Sequence, residues 1–316
     1  MSCRKQDAFQ RDHTRIIMND LISHAARYPD LPTALTTLHA KIAASDASET
    51  DKAEQHALLD TLARSEFWTY LLLNGGLNGD WTDYLINRYQ HDPAIAGLEH
   101  LFALPLQTAT RERNAHFKTV LQQAIRPGIS IASVPCGLMR DVLSLDFPND
   151  GSIRLDGYDL DDEALTASRA LAEQYGLSAH CRFTRADAWQ VGAAAPQAYD
   201  VCVSNGLNIY VPEPDRRVAL YRSFHAMLKP GGFLVISTLT PPPGAAAAPE
   251  WTMPAIDMAG LQLTQRIYGL IQPRWSTFCG TADMREHLQE AGFSHIEVRP
   301  DRANMMPTFI AHRPRH

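Results

Sequence analysis

The residues best suited to chemistry gather around one turn. Val134-Pro135-Cys136-Gly137-Leu138-Met139-Arg140-Asp141 reads as a strand end entering a helix, where free N–H groups and the positive helix end favour a ligand's negative groups. Gly137 lets a ligand approach the backbone, with Pro135 and Cys136 beside it. Asp159, in Gly157-Tyr158-Asp159-Leu160-Asp161, follows Gly137 by 22 residues, close to the roughly 20 expected of an acid that grips ribose hydroxyls. It could equally cap the helix that follows, although Asp161 or Asp162 is better placed to do so. Asp187-Ala188-Trp189 offers an acceptor and an apolar wall, suited to an adenine amino group and its flat face. The pattern is nucleotide-like, yet Pro135 and Met139 stand where a GxGxxG dinucleotide turn needs glycine.

These residues need a scaffold. From Ile129 short Val/Ile-rich runs alternate with helical patterns, the signature of a parallel sheet covered by helices. Strands are expected near 129–134, 152–158, 180–185, 200–204, 233–239, 296–299 and 308–312. Asp215 is expected to cap a helix with Leu220, Tyr221, Phe224, Met227 and Leu228 inward, stopped by Lys229-Pro230-Gly231-Gly232. Up to about residue 126 the spacing is helical throughout. There Leu58, Leu59, Leu62, Phe67, Tyr70 and Leu71 form one helix ending at the glycine-rich 74–79, which no strand precedes and which reads as a plain connection. Residues 240–250, rich in proline and alanine, read as a surface excursion before helical spacing resumes at 256–271.

The 316 residues, 45% hydrophobic and 20% charged, suit a globular chain of about two domains. A net charge of −6 supplies no general basic field, so nucleic acid is not an expected main partner. No apolar run reaches the roughly 20 residues of a membrane helix, and residues 1–15 lack the apolar stretch of an export signal. A soluble, cytoplasmic protein is expected. Five scattered cysteines without a CxxC pair fit a reducing compartment. Carboxylates cluster nowhere at metal-ligand spacing, so no metal is expected.

Over about residues 108–316 the order of pieces resembles the class I S-adenosylmethionine-dependent methyltransferases. The resemblance is carried by Gly157-Tyr158-Asp159-Leu160-Asp161, Asp187-Ala188, Tyr199-Asp200 with Asn205, Leu228-Lys229-Pro230-Gly231-Gly232, and Ala291-Gly292-Phe293 before the last two strands. It implies an α/β fold, a Rossmann-like, seven-stranded, mostly parallel sheet with helices on both faces, and S-adenosylmethionine as cofactor. Asp159 would then meet the ribose, Asp187 and Ala188 the adenine, Gly137 the methionine portion, and Asn205 would lie in the loop beside the transferred methyl, with Pro135, Cys136 and Leu160 as further cofactor contacts. The family's turn usually has an acid in its strand and two more glycines, where this chain has Ser133, Pro135 and Met139. The methionine end must therefore be held differently. The implied domains are a helical one at 1–107, serving as substrate lid or dimerisation element, and a methyltransferase domain at 108–316 with an insertion at about 240–280.

Phe117, Val120, Leu121 and Ala124 mark the buried stripe of the helix before the first strand, and Thr110, Arg113 and Asn114 lie on the same face. An inward arginine needs an anion. Either the cofactor's carboxylate or an internal salt bridge would serve. Neither Asn-Pro-Pro-Tyr nor Asp-Pro-Pro-Tyr follows the fourth strand, which favours a small-molecule substrate methylated on a hydroxyl or carboxylate oxygen. His116 and Tyr210 are candidate bases or positioning groups, against the plainer reading of His116 as a surface or satisfied core group. Trp81, Tyr84, Asn208, Trp251, Tyr268 and Trp275 are candidate substrate contacts, the aromatics among them also suiting ordinary helix packing. A homodimer through the N-terminal helices is a further expectation. The competing readings are a nicotinamide-dependent oxidoreductase, weakened by the absent GxGxxG, and a noncatalytic domain serving in protein interaction.

Overall fold

Seven strands form one sheet in the order β3-β2-β1-β4-β5-β7-β6. The computed structural model describes residues 26–148, 152–245, 249–275 and 277–315, so Cys3 and the first residues lie outside it. The strands are β1 (Ser130–Ser133), β2 (Arg154–Asp159), β3 (Cys181–Arg185), β4 (Tyr199–Ser204), β5 (Leu228–Ser237), β6 (Ile296–Arg299) and β7 (Thr308–His312). Only β7 runs antiparallel to its neighbours. The expected strands are all present. Lys229-Pro230-Gly231-Gly232, however, lies within β5, whose pairing with β4 slips between Tyr199 and Val201. Such an irregularity lets a strand carry proline and glycine at its start.

The described residues hold twelve α-helices: α1 (Leu31–Ala43), α2 (Glu49–Leu62), α3 (Glu66–Asn74), α4 (Gly79–Asp83), α5 (Glu99–Phe102), α6 (Pro105–Ala124), α7 (Arg140–Leu143), α8 (Asp162–Gln174), α9 (Val191–Ala194), α10 (Pro214–Met227), α11 (Met258–Ile271) and α12 (Thr281–Glu290). The single helix expected through Leu58 and Leu71 breaks between Leu62 and Glu66, where Ser65 takes the N-cap position. Asp215 sits in the first turn of α10 rather than at its cap, because Pro214 occupies the first helical position and Glu213 precedes it.

Strands buried on both faces explain the Val/Ile runs. Ile131, Val201, Val203, Val235 and Ile310 pack with Phe117, Val120 and Leu121 of α6. Cys202, Ile236, Phe309 and Ala311 pack with Leu220, Tyr221 and Phe224 of α10. Edge strand β3 keeps Arg182, Thr184 and Arg185 exposed, which blunts it against further pairing. The described chain divides into two compact units, residues 26–77 with 271–274, and residues 78–270 with 275–315. The expected boundary at 107/108 therefore falls inside the second unit, to which α4 and α5 belong.

Candidate functional site

Parallel pairing of Ser133 with Gly157 brings the ends of β1 and β2 side by side. The turn after β1 thereby reaches Asp159: the Gly137 N–H donates to Asp159 Oδ2 at 2.9 Å. Its carbonyl accepts from Ser168 Oγ of α8 at 2.6 Å. Both peptide groups of the turn's glycine are thus held by side chains, and φ is +49° at Gly137 and +57° at Met139. Asp159 is buried and also accepts from the Asp161 N–H at 3.1 Å. The helix is capped instead by Asp161, which accepts from the Glu163 N–H. Leu160 follows, half-buried. At the end of β3 the Asp187 Oδ1 accepts from the Trp189 N–H at 3.0 Å, and Ala188 is buried behind it.

From the other side the turn is braced by α4. A Cβ on Gly79 would lie 2.7 Å from the Gly137 Cα, so the two backbones touch and Gly79 tolerates no side chain. Arg140, just past the turn, donates to Asp83 at 2.6 and 3.1 Å, and Asp83 also pairs with Arg88 at 3.1 Å. The glycine-rich 74–79 is therefore more than a connection. Its last residue packs on the candidate ligand turn, as only the tertiary structure reveals.

Arg113 is buried on α6 as its stripe predicts. It makes no hydrogen bond or ion pair among the described residues, and its Nε is enclosed without a partner. Burial pushes its pKa down to about 10, against the nearby Tyr210, Asp301 and Asp141, so it stays charged at neutral pH. Asp301, which the sequence did not single out, spends its carboxylate on the Ala303, Met305 and Met306 N–H groups. Strand alternation puts Ser237 and Thr308, which pair across β5 and β7, on the α6 side with Val235 and Ile310. Both hydroxyls are buried without a partner, as are Ser204 Oγ, Asn205 Oδ1 and Asn208 Oδ1. Such atoms are costly unless satisfied, and all of these belong to the carboxyl-end region of the sheet. Open α/β sheets bind ligands there.

Among the aromatics, Tyr210 meets Trp275 at 6.5 Å between ring centroids, and Trp275 meets Tyr268 at 5.7 Å. Tyr268 accepts from Gln107 Nε2 of α6 at 2.8 Å. Burial raises its hydroxyl pKa, although part of its surface stays accessible. Trp81 and Tyr84 form a separate cluster, 5.2 Å apart, with Tyr84 against Phe102. Trp251 donates to Thr240 Oγ1 at 3.0 Å. Asn208 uses its amide on the Ser237 carbonyl and Tyr221 hydroxyl, fastening the segment that carries Tyr210. His116 is half-buried, with Nδ1 enclosed and unpartnered. No group of His, Cys, Asp or Glu among the described residues is arranged to hold a metal.

A family described as a methyltransferase domain matches residues 133–232, which span the turn and the strands carrying Asp159, Asp187 and Asn205. No curated protein sequence matches the chain. The crystal structure of a "possible exported protein" from Bordetella parapertussis is 42% identical, with 89% of this chain and 94% of that one covered and a TM-score of 0.83. The S-adenosylmethionine-dependent methyltransferase SibL shares the fold at 16% identity and a TM-score of 0.52, covering 98% of this chain and 77% of that one. So does the CurJ carbon methyltransferase, at 14% identity and a TM-score of 0.51 over 84% of this chain and 69% of that one. With its strand order and matched turn, the chain belongs to the class I S-adenosylmethionine-dependent methyltransferases and uses S-adenosylmethionine as methyl donor.

Proposed function

We propose that this methyltransferase acts on an oxygen, a hydroxyl or a carboxylate, of a small metabolite. The observation that carries the reading is the buried, unpartnered Arg113 guanidinium beside orphaned neutral polar atoms at the carboxyl end of the sheet. Those residues fit S-adenosylmethionine: a buried cation without an anion suits the cofactor's carboxylate. Asp159 accepts ribose hydroxyls beside Leu160, Asp187 and Ala188 meet the adenine, and Pro135, Cys136 and Gly137 line the methionine portion. Asn205 lies at the end of β4, where the methyl would be presented.

When bound, the cofactor supplies a methyl group on a sulfonium with a neutral thioether as leaving group. The chain's own task is alignment, exclusion of water and, for a hydroxyl acceptor, removal of a proton. Tyr210, Trp275 and Tyr268 form a connected wall for the acceptor. Trp81, Tyr84 and Trp251 are assigned to its outer reaches, and Asn208 to holding Tyr210 in place. No side chain orients the His116 Nδ1, so His116 lacks the relay that tunes a strong general base. Alignment therefore dominates, and His116→Ala and Tyr210→Phe should each lose less than about 100-fold in single-turnover rate. A loss beyond about 1,000-fold in either, together with a vanished basic pH limb, would identify that residue as the base.

The deciding experiment offers metabolite extracts to the enzyme with methyl-labelled S-adenosylmethionine and locates the label by NMR. Label on a small-molecule oxygen is expected; label on nitrogen, sulfur or carbon, or on a macromolecule, overturns the assignment. We place the enzyme in the cytoplasm, which the unpaired thiols of Cys136, Cys181, Cys202 and Cys279 support; no described helix is long and apolar enough to cross a membrane. In the helical unit α1 packs on α2 and α3 with Ala34, Leu38 and Ile42 buried. A homodimer through these helices would use their polar faces, and light scattering tests for it.

A further inference from the structure

The acid that the family usually carries in its first strand is Ser133 here, yet a carboxylate stands nearby. Arg140 and Asp141 open α7, directly after the glycine turn. Arg140 reaches away to Asp83 in a two-pronged bond of 2.6 and 3.1 Å, and Asp83 is itself buried. That anchor fixes the first turn of α7 and sends the next side chain about 100° further round the helix. α7 packs on α6, and the cations that act on Asp141 are Lys118 and Arg113, both of α6. Asp141 also acts on Cys136 in the turn, alongside Asp159. The carboxylate thus lies among the glycine turn, α6 and Arg113.

Asp141 pairs with neither cation. Among the described residues its carboxylate is met only by backbone N–H groups, its own and that of the adjacent Val142, the latter at 3.0 Å. Arg113 likewise has no partner, and its Nε is enclosed. Arg113 is buried and Asp141 half-buried, and opposite charges held this far from water without pairing are expensive. A lone anionic ligand would satisfy Arg113 while being repelled by Asp141. A ligand bearing an ammonium and a carboxylate on one carbon answers both.

We infer that Asp141 binds the ammonium of the cofactor's methionine end, so that Asp141 and Arg113 form a socket for an α-amino acid zwitterion. The inference rests on the assignment of Arg113 to the carboxylate. It explains how a turn lacking two glycines and the strand acid holds its ligand: the charge is moved from β1 to α7 and α6. Burial lifts the Asp141 carboxyl to about 6, with its own and the Val142 N–H, Lys118 and Arg113 pulling the other way. Protonation there would remove the counter-charge for the ammonium, so affinity for the full ligand should rise with pH through about 6.

The test is calorimetric and uses four ligands. S-Adenosylhomocysteine carries both charged groups, its decarboxylated analogue only the ammonium, its deaminated analogue only the carboxylate, and 5′-methylthioadenosine neither. Asp141→Asn should weaken the two ammonium-bearing ligands about 10- to 100-fold, leave the other two within about threefold, and flatten the pH dependence near 6. Asp141→Glu should recover part of the loss. Equal weakening of all four ligands, or of none, overturns the inference. Arg113→Leu reports separately: it should weaken only the two carboxylate-bearing ligands. If it does not, the carboxylate assignment fails while the Asp141 result still stands or falls on the ammonium pair.

Discussion

At the amino end of the sheet the Asp200 carboxylate accepts from the Ser130 N–H and hydroxyl, Lys229 and Arg126, at 2.6 to 2.9 Å. At the carboxyl end Ser204, Asn205, Ser237, Thr308 and Arg113 each keep a buried atom without a partner. The same strands carry both ends, so propensity and burial do not distinguish them. What differs is closure. Around Asp200 the amino end completes its own hydrogen bonds and contributes stability, whereas the carboxyl end leaves groups for a ligand to complete. Orphaned polar atoms are tolerated where their satisfaction is the function.

The largest effect is expected at Asp159. Replacing it with alanine would remove the two charged ribose hydrogen bonds proposed for it, each worth about 1.5 to 3 kcal/mol, and free the Gly137 N–H that it holds. S-Adenosylhomocysteine should then bind more than about 100-fold more weakly by calorimetry. An unchanged Kd in a folded variant would remove Asp159 from the site.

Arg113→Leu sharpens the contrast by uncoupling binding from folding. Binding of S-adenosylhomocysteine should fall about 10- to 100-fold. Folding stability should hold or rise, because an apolar group replaces a buried unpaired charge. A clear drop in Tm would show that the arginine serves the fold.

Asp200→Asn should do the opposite, costing about 1 to 2 kcal/mol of stability at pH 7 and leaving cofactor affinity intact. Burial alone would raise the Asp200 carboxyl, but the Ser130 and Lys229 hydrogen bonds outweigh it and hold the pKa at about 2. A depressed carboxyl stabilises fully above its unfolded pKa of about 3.9 and loses that contribution as pH falls to about 2. The gap between parent and variant, followed by urea titration, should therefore close across that window.

The smallest effects form the finest comparison. Ser130→Ala should cost about 1 kcal/mol, since its hydroxyl donates to Asp200 at 2.6 Å and accepts from Lys229 at 3.0 Å. Ser237→Ala, equally buried, should change stability by less than about 0.5 kcal/mol because its hydroxyl has no partner. Equal costs at the two serines, measured by thermal melts without ligand, would erase the distinction between the ends.

Much of the scaffold was legible because short-range rules produce it. Strands buried on both faces must be Val/Ile-rich, and the i, i+3, i+4 stripe that buries Phe117, Val120 and Leu121 also turns Thr110, Arg113 and Asn114 inward. The 22-residue spacing from Gly137 to Asp159 follows from one crossover between neighbouring parallel strands, and the Gly137 N–H bond bears it out. The misplaced elements were local contests: Pro214 displaced Asp215 from the cap, and the start of β5 runs through Lys229-Pro230-Gly231-Gly232.

By itself the sequence determined the class of fold, the α6 face that turns Arg113 inward, and the acid at the end of β2, because each depends on neighbours within one element or one crossover. Only the tertiary structure decided what meets the turn. Gly79, whose backbone packs on Gly137, precedes it by 58 residues; Asp83 anchors Arg140 from 57 residues away, and Ser168 closes the turn from α8. No periodicity connects such positions, since contacts between distant segments are set by how whole elements pack. Whether Arg113 is neutralised internally was likewise undecidable from its helix alone: a charge is paired or unpaired according to every element around it, and here α7, β5 and β7 bring it no partner within reach.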